Sequence, residues 1–387
     1  MKLTRADRSL LAEWWFTIDR TLLATLLALM AIGLALSLAA SPAVALKKGL
    51  PPFYFAQRQF LFAAIGLVII LAVSTMSPSA TRRLALVVLL ASMALMAWAV
   101  VAGVEIKGAR RWVALFGHSI QPSEFGKPAL VVILAWLFAE RTRRDDVPSI
   151  PLAIGLGGLF AGLLVVQPDV GQTILVAAVW CALFVLSGQP LRYAALFMPA
   201  GLLAFGGAWL AFPHVRSRVA RFFDPASGDT YQTDRAVQSF AEGGLFGRGP
   251  GEGTIKSSLP DAHTDFIFAV IGEEYGSLAC LGVLVLFMLV AVRALRFAWN
   301  EPEPFPRLAV IGLALLIVLQ AAINMGVNVG ILPAKGMTLP FISAGGSSSL
   351  SMSFAAGLLL ALSRRRPRLA HVKKPQLGAS MDQIAAR

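Results

Sequence analysis

The sequence predicts an all-α polytopic membrane protein of about ten transmembrane helices, with one large extracytoplasmic loop between spans 7 and 8. Three observations predict it. Hydrophobic residues fill 57% of the 387 positions and charged residues only 14%, and the mean hydropathy of +0.71 lies well outside the range of soluble domains. Apolar stretches recur along the whole chain, several of them free of charge over the roughly 20 residues a helix needs to cross a hydrocarbon core of about 30 Å. The two cysteines, Cys181 and Cys280, sit inside such stretches, so neither a disulfide framework nor a CxxC metal site is supported and both are expected to be small core residues.

Taken in order, the spans fall at 21–40, 60–76, 84–103, 126–139, 150–166, 171–187, 194–212, 266–296, 308–330 and 347–363. Residues 1–20 form a segment of their own, in which SLLAEWWFTIDR sets Trp14, Trp15 and Phe16 beside charges, the pattern of a short helix lying in the headgroup layer. The run 21–40 followed by SPAVA looks like a signal peptide. It is longer than the roughly 7–15 apolar residues of such a peptide and is the first span instead.

Ten spans put both termini on one side, and charge selects the side. Together with the span ends beside them, the N-terminus, the even-numbered loops and the tail hold 20 Lys and Arg, against 13 on the other side, six of those in the one long loop. Long loops count little in this rule, so both termini are cytoplasmic. The tail, 364–387, is basic and is expected to lie on anionic headgroups. The net charge of +13 is spread over these connections, which argues against a nucleic-acid-binding stripe. Gly155, Gly157, Gly158 and Gly162 in one span and Gly201, Gly206 and Gly207 in another are expected to let helices approach closely, Gly158 and Gly162 having GxxxG spacing.

The loop 213–264 is the one connection long enough to build structure. Its six basic residues, Arg216, Arg218, Arg221, Arg235, Arg248 and Lys256, are balanced by Asp224, Asp229, Asp234, Glu242, Glu252 and Asp261, which predicts specific pairing. GGLFGRGPGEG at 243–253 lacks the lysine of a P-loop and follows no strand, so its glycines predict a tightly folded backbone.

Ionisable groups at membrane depth are costly and therefore informative. Glu124 and Lys127 in QPSEFGK share one helix face and can pair; the alternative is a neutralised helix start with Ser123 as cap. Asp169 in QPDVGQT sits in a tight turn, where it can also cap the next helix. LPAKGMTLPFISAGGSSS at 332–349 brings Lys335, glycines and hydroxyls to the last span, suiting a re-entrant turn or a surface for a phosphate-bearing ligand.

Asp265, in LPDAHTDFIF, stands on the extracytoplasmic side at the edge of a span. If it begins a helix, Glu273 lies about 80° round from it and about 12 Å deeper, too far for a glycosidase pair. Glu273 is instead expected to meet a buried cation such as Lys127. His263 and Thr264 are neighbours of Asp265, but adjacent residues project in different directions and no serine has a partner, so a hydrolase triad is not supported. Four scattered histidines give no zinc spacing. A single carboxylate at a lipid surface suits sugar transfer from a lipid diphosphate, where a good leaving group needs no acid and one base suffices. Helix capping is the alternative role for Asp265.

KGARRW at 107–112, QPSEFGK, QPDVGQT, GGLFGRGPGEG, LPDAHTDFIFAVIGEEYG at 259–276 and LPAKGMTLPFISAGGSSS, in this order over most of the chain, resemble the SEDS family of bacterial cell-wall polymerases. The charged N-terminal extension, the basic tail and the loop wording resemble its cell-division branch more than its elongation branch. The resemblance implies a ten-span domain over 21–363 that polymerises lipid II into glycan strands at the division septum of the bacterial inner membrane. It implies a class B penicillin-binding protein, the septal transpeptidase, and other division proteins as partners, and a divalent cation, Mg or Mn, whose ligands are not readable.

By the same resemblance the catalytic aspartate falls on Asp265. Arg110, Arg111, Trp112, Lys127, Asp169, Lys256 and Lys335 are expected to bind substrate or line its cavity, and Glu124, His263, Thr264 and Glu273 to support the site. The chain departs from the family at Ala344, where tyrosine is common, and at Asp261, where glutamate is usual. Two other classes compete: a lipid II flippase using Glu124, Lys127, Glu273 and Glu274 as a polar path, and a non-catalytic division scaffold.

Overall fold

The computed structural model describes residues 9–106, 109–115, 118–141, 146–190, 206–207, 209–210, 216, 231–332 and 336–365. Its helices are α1 Leu10–Thr17, α2 Arg20–Lys47, α3 Tyr54–Ser74, α4 Pro78–Ala102, α5 Pro122–Glu140, α6 Ser149–Val166, α7 Val170–Leu186, α8 Tyr231–Gly243, α9 Ile255–Ser258, α10 Ile267–Asn300, α11 Pro304–Asn328 and α12 Gly346–Leu362. Among the described residues seven helices are long and apolar enough to span a membrane, and α7 and α12 are shorter apolar helices. These nine coincide with nine of the ten expected spans. The remaining one, 194–212, falls outside the described residues apart from a few positions, as do Lys335 and the tail beyond residue 365.

The helices are joined by one small antiparallel sheet of β1 Val104–Ile106, β2 Ala109–Leu115 and β3 His118–Ile120, in the order β1-β2-β3, and Ala109, Arg110, Arg111 and Trp112 of KGARRW lie on its middle strand. Its middle strand carries the alternating Arg111 and Val113 that a period of two requires.

From Pro128 to Ala139 helix α5 is apolar all round, and it is buried along nearly its whole length, so it forms the centre, with Glu124 and Lys127 of its first turns buried as well. Helices α4, α6, α7, α11 and α12 surround it, and α12 packs closely on α3. The outward faces of α3 and α10 show Phe60, Leu61, Val68, Leu281 and Met288 as exposed side chains, as lipid-facing surfaces should.

The expected N-terminal helix forms as α1, capped by Ser9, whose side chain accepts from Ala12. Trp14 Nε1 donates to Ser74 Oγ at 2.8 Å. At the same end Arg364 joins α1 to the end of α12, donating to Thr17 Oγ1 at 2.8 Å, to the Thr75 carbonyl at 2.9 Å and to Glu13 at 3.1 Å.

Two packing expectations hold only in part. Among the described residues a Cβ at Gly158 or Gly162 would meet nothing within 4 Å; the close approach on α6 is at Gly157, where a Cβ would lie 2.8 Å from the Trp180 ring. The helical period turns the GxxxG pair outward and Gly157 inward. Likewise Cys181 is exposed while Cys280 is buried, because Cys181 falls on the outer face of α7.

Candidate active site

Helix α10 is broken at Gly276, whose φ of 78° and ψ of 177° leave the helical region. A break deep in an apolar bundle frees backbone groups that must find partners. The loop supplies them: Arg248 and Gly249 N–H donate to the Glu273 and Glu274 carbonyls at 2.9 and 3.0 Å, while Ser277 and Leu278 N–H donate to Gly244 and Leu245 at 2.9 and 3.3 Å. Gly244, Gly247, Gly249 and Gly251 all have positive φ, so the glycine-rich stretch is the tight fold its composition predicts.

Side chains complete this anchor. Glu273 accepts from the backbone N–H of Ile255 at 2.6 Å and of Lys256 at 2.9 Å. Glu274 accepts from Gly251 N–H at 3.1 Å and pairs with Lys256, whose Nζ also donates to the Gly251 carbonyl at 2.9 Å. The expected Glu273–Lys127 contact is therefore corrected. Glu273 faces the loop because α10 starts at Ile267, two residues after Asp265, and is consumed by α9 N–H groups. Lys256 is buried within the same anchor.

Lys127 lies elsewhere, fully buried in the core. Its Nζ donates to Glu124 Oε1 at 3.0 Å, to Gln172 Oε1 at 2.6 Å and to Gln320 Oε1 at 3.0 Å, and Gln172 Nε2 donates back to Glu124 at 2.8 Å. The expected Glu124–Lys127 pair thus forms. Ser123 does not cap: Gln121 is the N-cap, no side chain caps α5, and Ser123 Oγ is buried without a partner. Asp169 does two jobs, capping α7 at Gln172 N–H and receiving Arg111 at 3.0 Å and Gln121 at 3.1 Å. The sheet delivers Arg111 to it. Arg110 instead pairs with Glu105 at 3.3 Å on the surface, where solvent screens the pair, and Trp112 is half-buried.

Asp265 lies in the turn that leads into α10, and Phe266 occupies the N-cap without a side-chain cap. Capping is thereby removed as an explanation for Asp265. The main-chain oxygen of Asp265 accepts from Asn324 Nδ2 at 2.8 Å and from Asn328 Nδ2 at 3.0 Å, and Asn328 Oδ1 takes Ala269 N–H at 3.0 Å. Asn324 also donates to the Met337 carbonyl at 2.6 Å, and Gln320 Nε2 to the Thr338 carbonyl at 3.2 Å.

Gln320, Asn324 and Asn328 stand four residues apart on one face of α11, so a single polar ladder links the Lys127 cluster, the 336–338 segment and Asp265. Gly336 lies beside the carboxylate: its φ is +63°, and a Cβ there would sit 3.5 Å from Asp265 Oδ2. The ladder was missed in the sequence, although polar residues at a spacing of four inside an apolar run are a readable signal.

The residues before Asp265 are held just as closely. Ser343 Oγ donates to the Thr264 carbonyl at 2.6 Å and Ala344 N–H to the His263 carbonyl at 2.9 Å, while Thr264 Oγ1 donates to the Asp261 carbonyl at 3.1 Å. Asp261 and Phe341 adopt φ of 54° and 67°, a left-handed conformation that costs on the order of 1–3 kcal/mol in non-glycine residues and tends to gather at functional sites. The His263 ring packs on Phe55 with centroids 4.5 Å apart. Burial and the nearby Lys48 push its pKa down to about 4, against a smaller opposing pull from Asp261. Among the described residues no three His, Cys, Asp or Glu side chains converge as a metal site.

Comparison with known proteins agrees with this arrangement. Residues 19–368 match the FtsW/RodA/SpoVE family model, described as cell cycle protein. The chain is 43% identical to the "Probable peptidoglycan glycosyltransferase FtsW" of Caulobacter vibrioides over 94% of this chain and 93% of that one. It is 32% identical to the "Stage V sporulation protein E" of Bacillus subtilis over 89% and 97%. Among solved structures it resembles one described as "Structural coordination of polymerization and crosslinking by a peptidoglycan synthase complex", with TM-score 0.72 and 28% identity over 90% of this chain and 98% of that one. It also resembles the rod shape determining protein RodA of Thermus thermophilus, with TM-score 0.67 and 27% identity over 91% and 99%. With its nine matching helices, its loop docked on a broken helix and its motifs in order, this chain belongs to the FtsW/RodA/SpoVE family of membrane proteins.

Proposed function

We propose that the chain is a peptidoglycan glycosyltransferase that polymerises lipid II into glycan strands during septal wall synthesis in dividing bacteria. The observation that carries the reading is Asp265, a partly exposed carboxylate whose backbone is gripped by two asparagines of α11. The names of the relatives support the same reaction. Asp265 accepts the proton of the acceptor sugar hydroxyl as that oxygen attacks the anomeric carbon of the donor. The bond from that carbon to the diphosphate oxygen breaks, and undecaprenyl diphosphate leaves with the electron pair. Because the leaving group is stable as an anion, no second carboxylate is required, which fits the distant engagement of Glu273 and Glu274.

Arg110, Arg111, Trp112 and Lys335 are proposed to face the substrate, with Asp169 orienting Arg111, and the Glu124–Lys127 cluster to hold α5, α7 and α11 in register beneath it. A divalent cation belongs to the proposal. Mg²⁺ is typically held by one or two carboxylates plus substrate phosphates and needs no closed protein cage; Asp265 would hold it, and it would neutralise charge on the diphosphate. The partner proposed is a class B penicillin-binding protein, because the similar solved structure is described as coordinating polymerisation with crosslinking. The setting proposed is the bacterial inner membrane at the septum, both termini cytoplasmic.

The flippase path loses its support, since its four charges lie in two separate clusters, each paired locally. The test is a gel of labelled lipid II products made by the purified chain with its transpeptidase. Asp265→Asn should make no polymer while still co-purifying with the partner; undiminished polymer would refute the assignment.

A further inference from the structure

The glycine-rich stretch docked on the broken helix carries two large apolar residues at its turn, and neither is covered. Leu245 is 62% and Phe246 79% exposed. They stand between Gly244 and Gly247, whose φ of 56° and 81° are left-handed. The backbone of this turn is spent on α10: the Gly244 carbonyl accepts from Ser277 N–H at 2.9 Å and the Leu245 carbonyl from Leu278 N–H at 3.3 Å. The main chain thus faces the helix, and both side chains are left on the outside.

Helix α10 continues the same surface. Leu278, Leu281, Val285 and Met288 are each more than half exposed, and their spacing of three and four puts them on one face. That face is the lipid-facing one, and the turn extends it at the Gly276 end. Single exposed apolar residues are ordinary, whereas a continuous apolar strip marks a surface that something covers.

Depth says what covers it. Arg293 pairs with Asp19, the N-cap of α2, at 2.5 Å, which marks one boundary of the apolar layer. From Arg293 back to Gly276 the helix rises about 26 Å at about 1.5 Å per residue, close to the roughly 30 Å of a hydrocarbon core. The break and the turn docked on it therefore lie at the opposite boundary, where aromatic side chains are enriched. Glu242 and Arg248, exposed and paired with each other beside the turn, supply the polar neighbours that headgroup level calls for.

We propose that Leu245 and Phe246 insert into the boundary between headgroups and acyl chains of the leaflet on the Asp265 side, so that phospholipid is the partner of this surface. The glycine-rich stretch is then held from two sides, by backbone hydrogen bonds to α10 and by lipid. Lys256 and Asp265 follow it in the chain, so the anchor sets the height of both relative to the bilayer. The insertion does not depend on Asp265 acting as a base.

The test places the photoreactive residue p-benzoylphenylalanine at Phe246 of the full chain, in nanodiscs of phosphatidylethanolamine and phosphatidylglycerol, with and without the transpeptidase. Irradiation should join this residue to a phospholipid in both samples, read by mass as a peptide carrying a lipid. The same label at the exposed Glu252 should give no lipid adduct. A transpeptidase adduct in place of the lipid adduct, or no adduct at all, would overturn the proposal. Phe246→Ser should speed trypsin cleavage after Arg248 in nanodiscs by about tenfold, the loss expected when a large apolar side chain leaves an apolar phase, while Phe246→Trp should keep the slow rate. Unchanged cleavage of Phe246→Ser would refute the anchor as surely as a missing adduct.

Discussion

The side-chain amide of Asn324 lies 2.8 Å from the main-chain oxygen of Asp265 and 2.6 Å from that of Met337. One nitrogen thus fixes two chain segments that have no regular structure of their own against the rigid helix α11. Asn324→Leu should therefore act on the chemical step. A displacement of about 1 Å at a reacting group can cost on the order of 100-fold, so the turnover number should fall by at least about tenfold with little change in KM. Initial rates of lipid II polymerisation check this; a change in KM alone would place the asparagine in substrate binding.

Lys127 is held by Glu124, Gln172 and Gln320, and Glu124 Oε2 is already buried without a partner. Lys127→Met leaves that carboxylate uncompensated, a change that typically costs about 3–5 kcal/mol. The thermal midpoint of the purified protein should drop by several degrees. Adding Glu124→Gln should restore most of the loss, since the buried charge is then gone. Equal midpoints for the single and double variants would show that the pair contributes through packing instead.

Most of the spans were readable because lipid imposes one requirement, a long apolar run, on every helix that crosses it. The Glu124–Lys127 pair was readable for a similar reason: helical spacing dictates it locally. The partner of Glu273 was not. Its orientation depends on where α10 begins and on the break at Gly276, and both are set by a loop that docks from a distance. The sheet around Arg111 was hidden because KGARRW is too short and too charged for a strand pattern. The asparagine ladder could have been found, but a lone amide in an apolar run is ordinary until its neighbour four residues on is counted.

The docked loop gives a sharper stability test at Gly247. Its φ is +81°, and a Cβ there would lie 2.2 Å from the Glu274 carbonyl oxygen. Backbone cannot move aside as a side-chain end can. Gly247→Ala should release the stretch 244–251 from α10 and leave the Glu273 and Glu274 carbonyls without donors. Limited trypsin digestion should then cut after Arg248 at least about tenfold faster than in the unmodified protein, the local opening costing correspondingly less. Unchanged cleavage would mean that the loop is held by its side-chain contacts alone.

His263 makes a pH prediction whose sign follows from its burial. The ordinary histidine pKa is 6.5 and the folded value is lowered to about 4, first by burial and then by Lys48, with Asp261 opposing. Between these values the unfolded chain binds a proton that the folded chain does not. This contribution is absent above pH 6.5 and grows destabilising as pH falls toward about 4, where it levels off. At about 1.4 kcal/mol per pH unit the full effect is on the order of 3 kcal/mol. Thermal midpoints measured from pH 7.5 to 4.5 should therefore fall more steeply for the unmodified chain than for His263→Gln, which has no proton to gain. Carboxylates elsewhere contribute equally to both proteins, so the difference between the two curves isolates this residue. Parallel curves would mean that His263 keeps its ordinary pKa in the folded state, with Asp261 offsetting burial and Lys48.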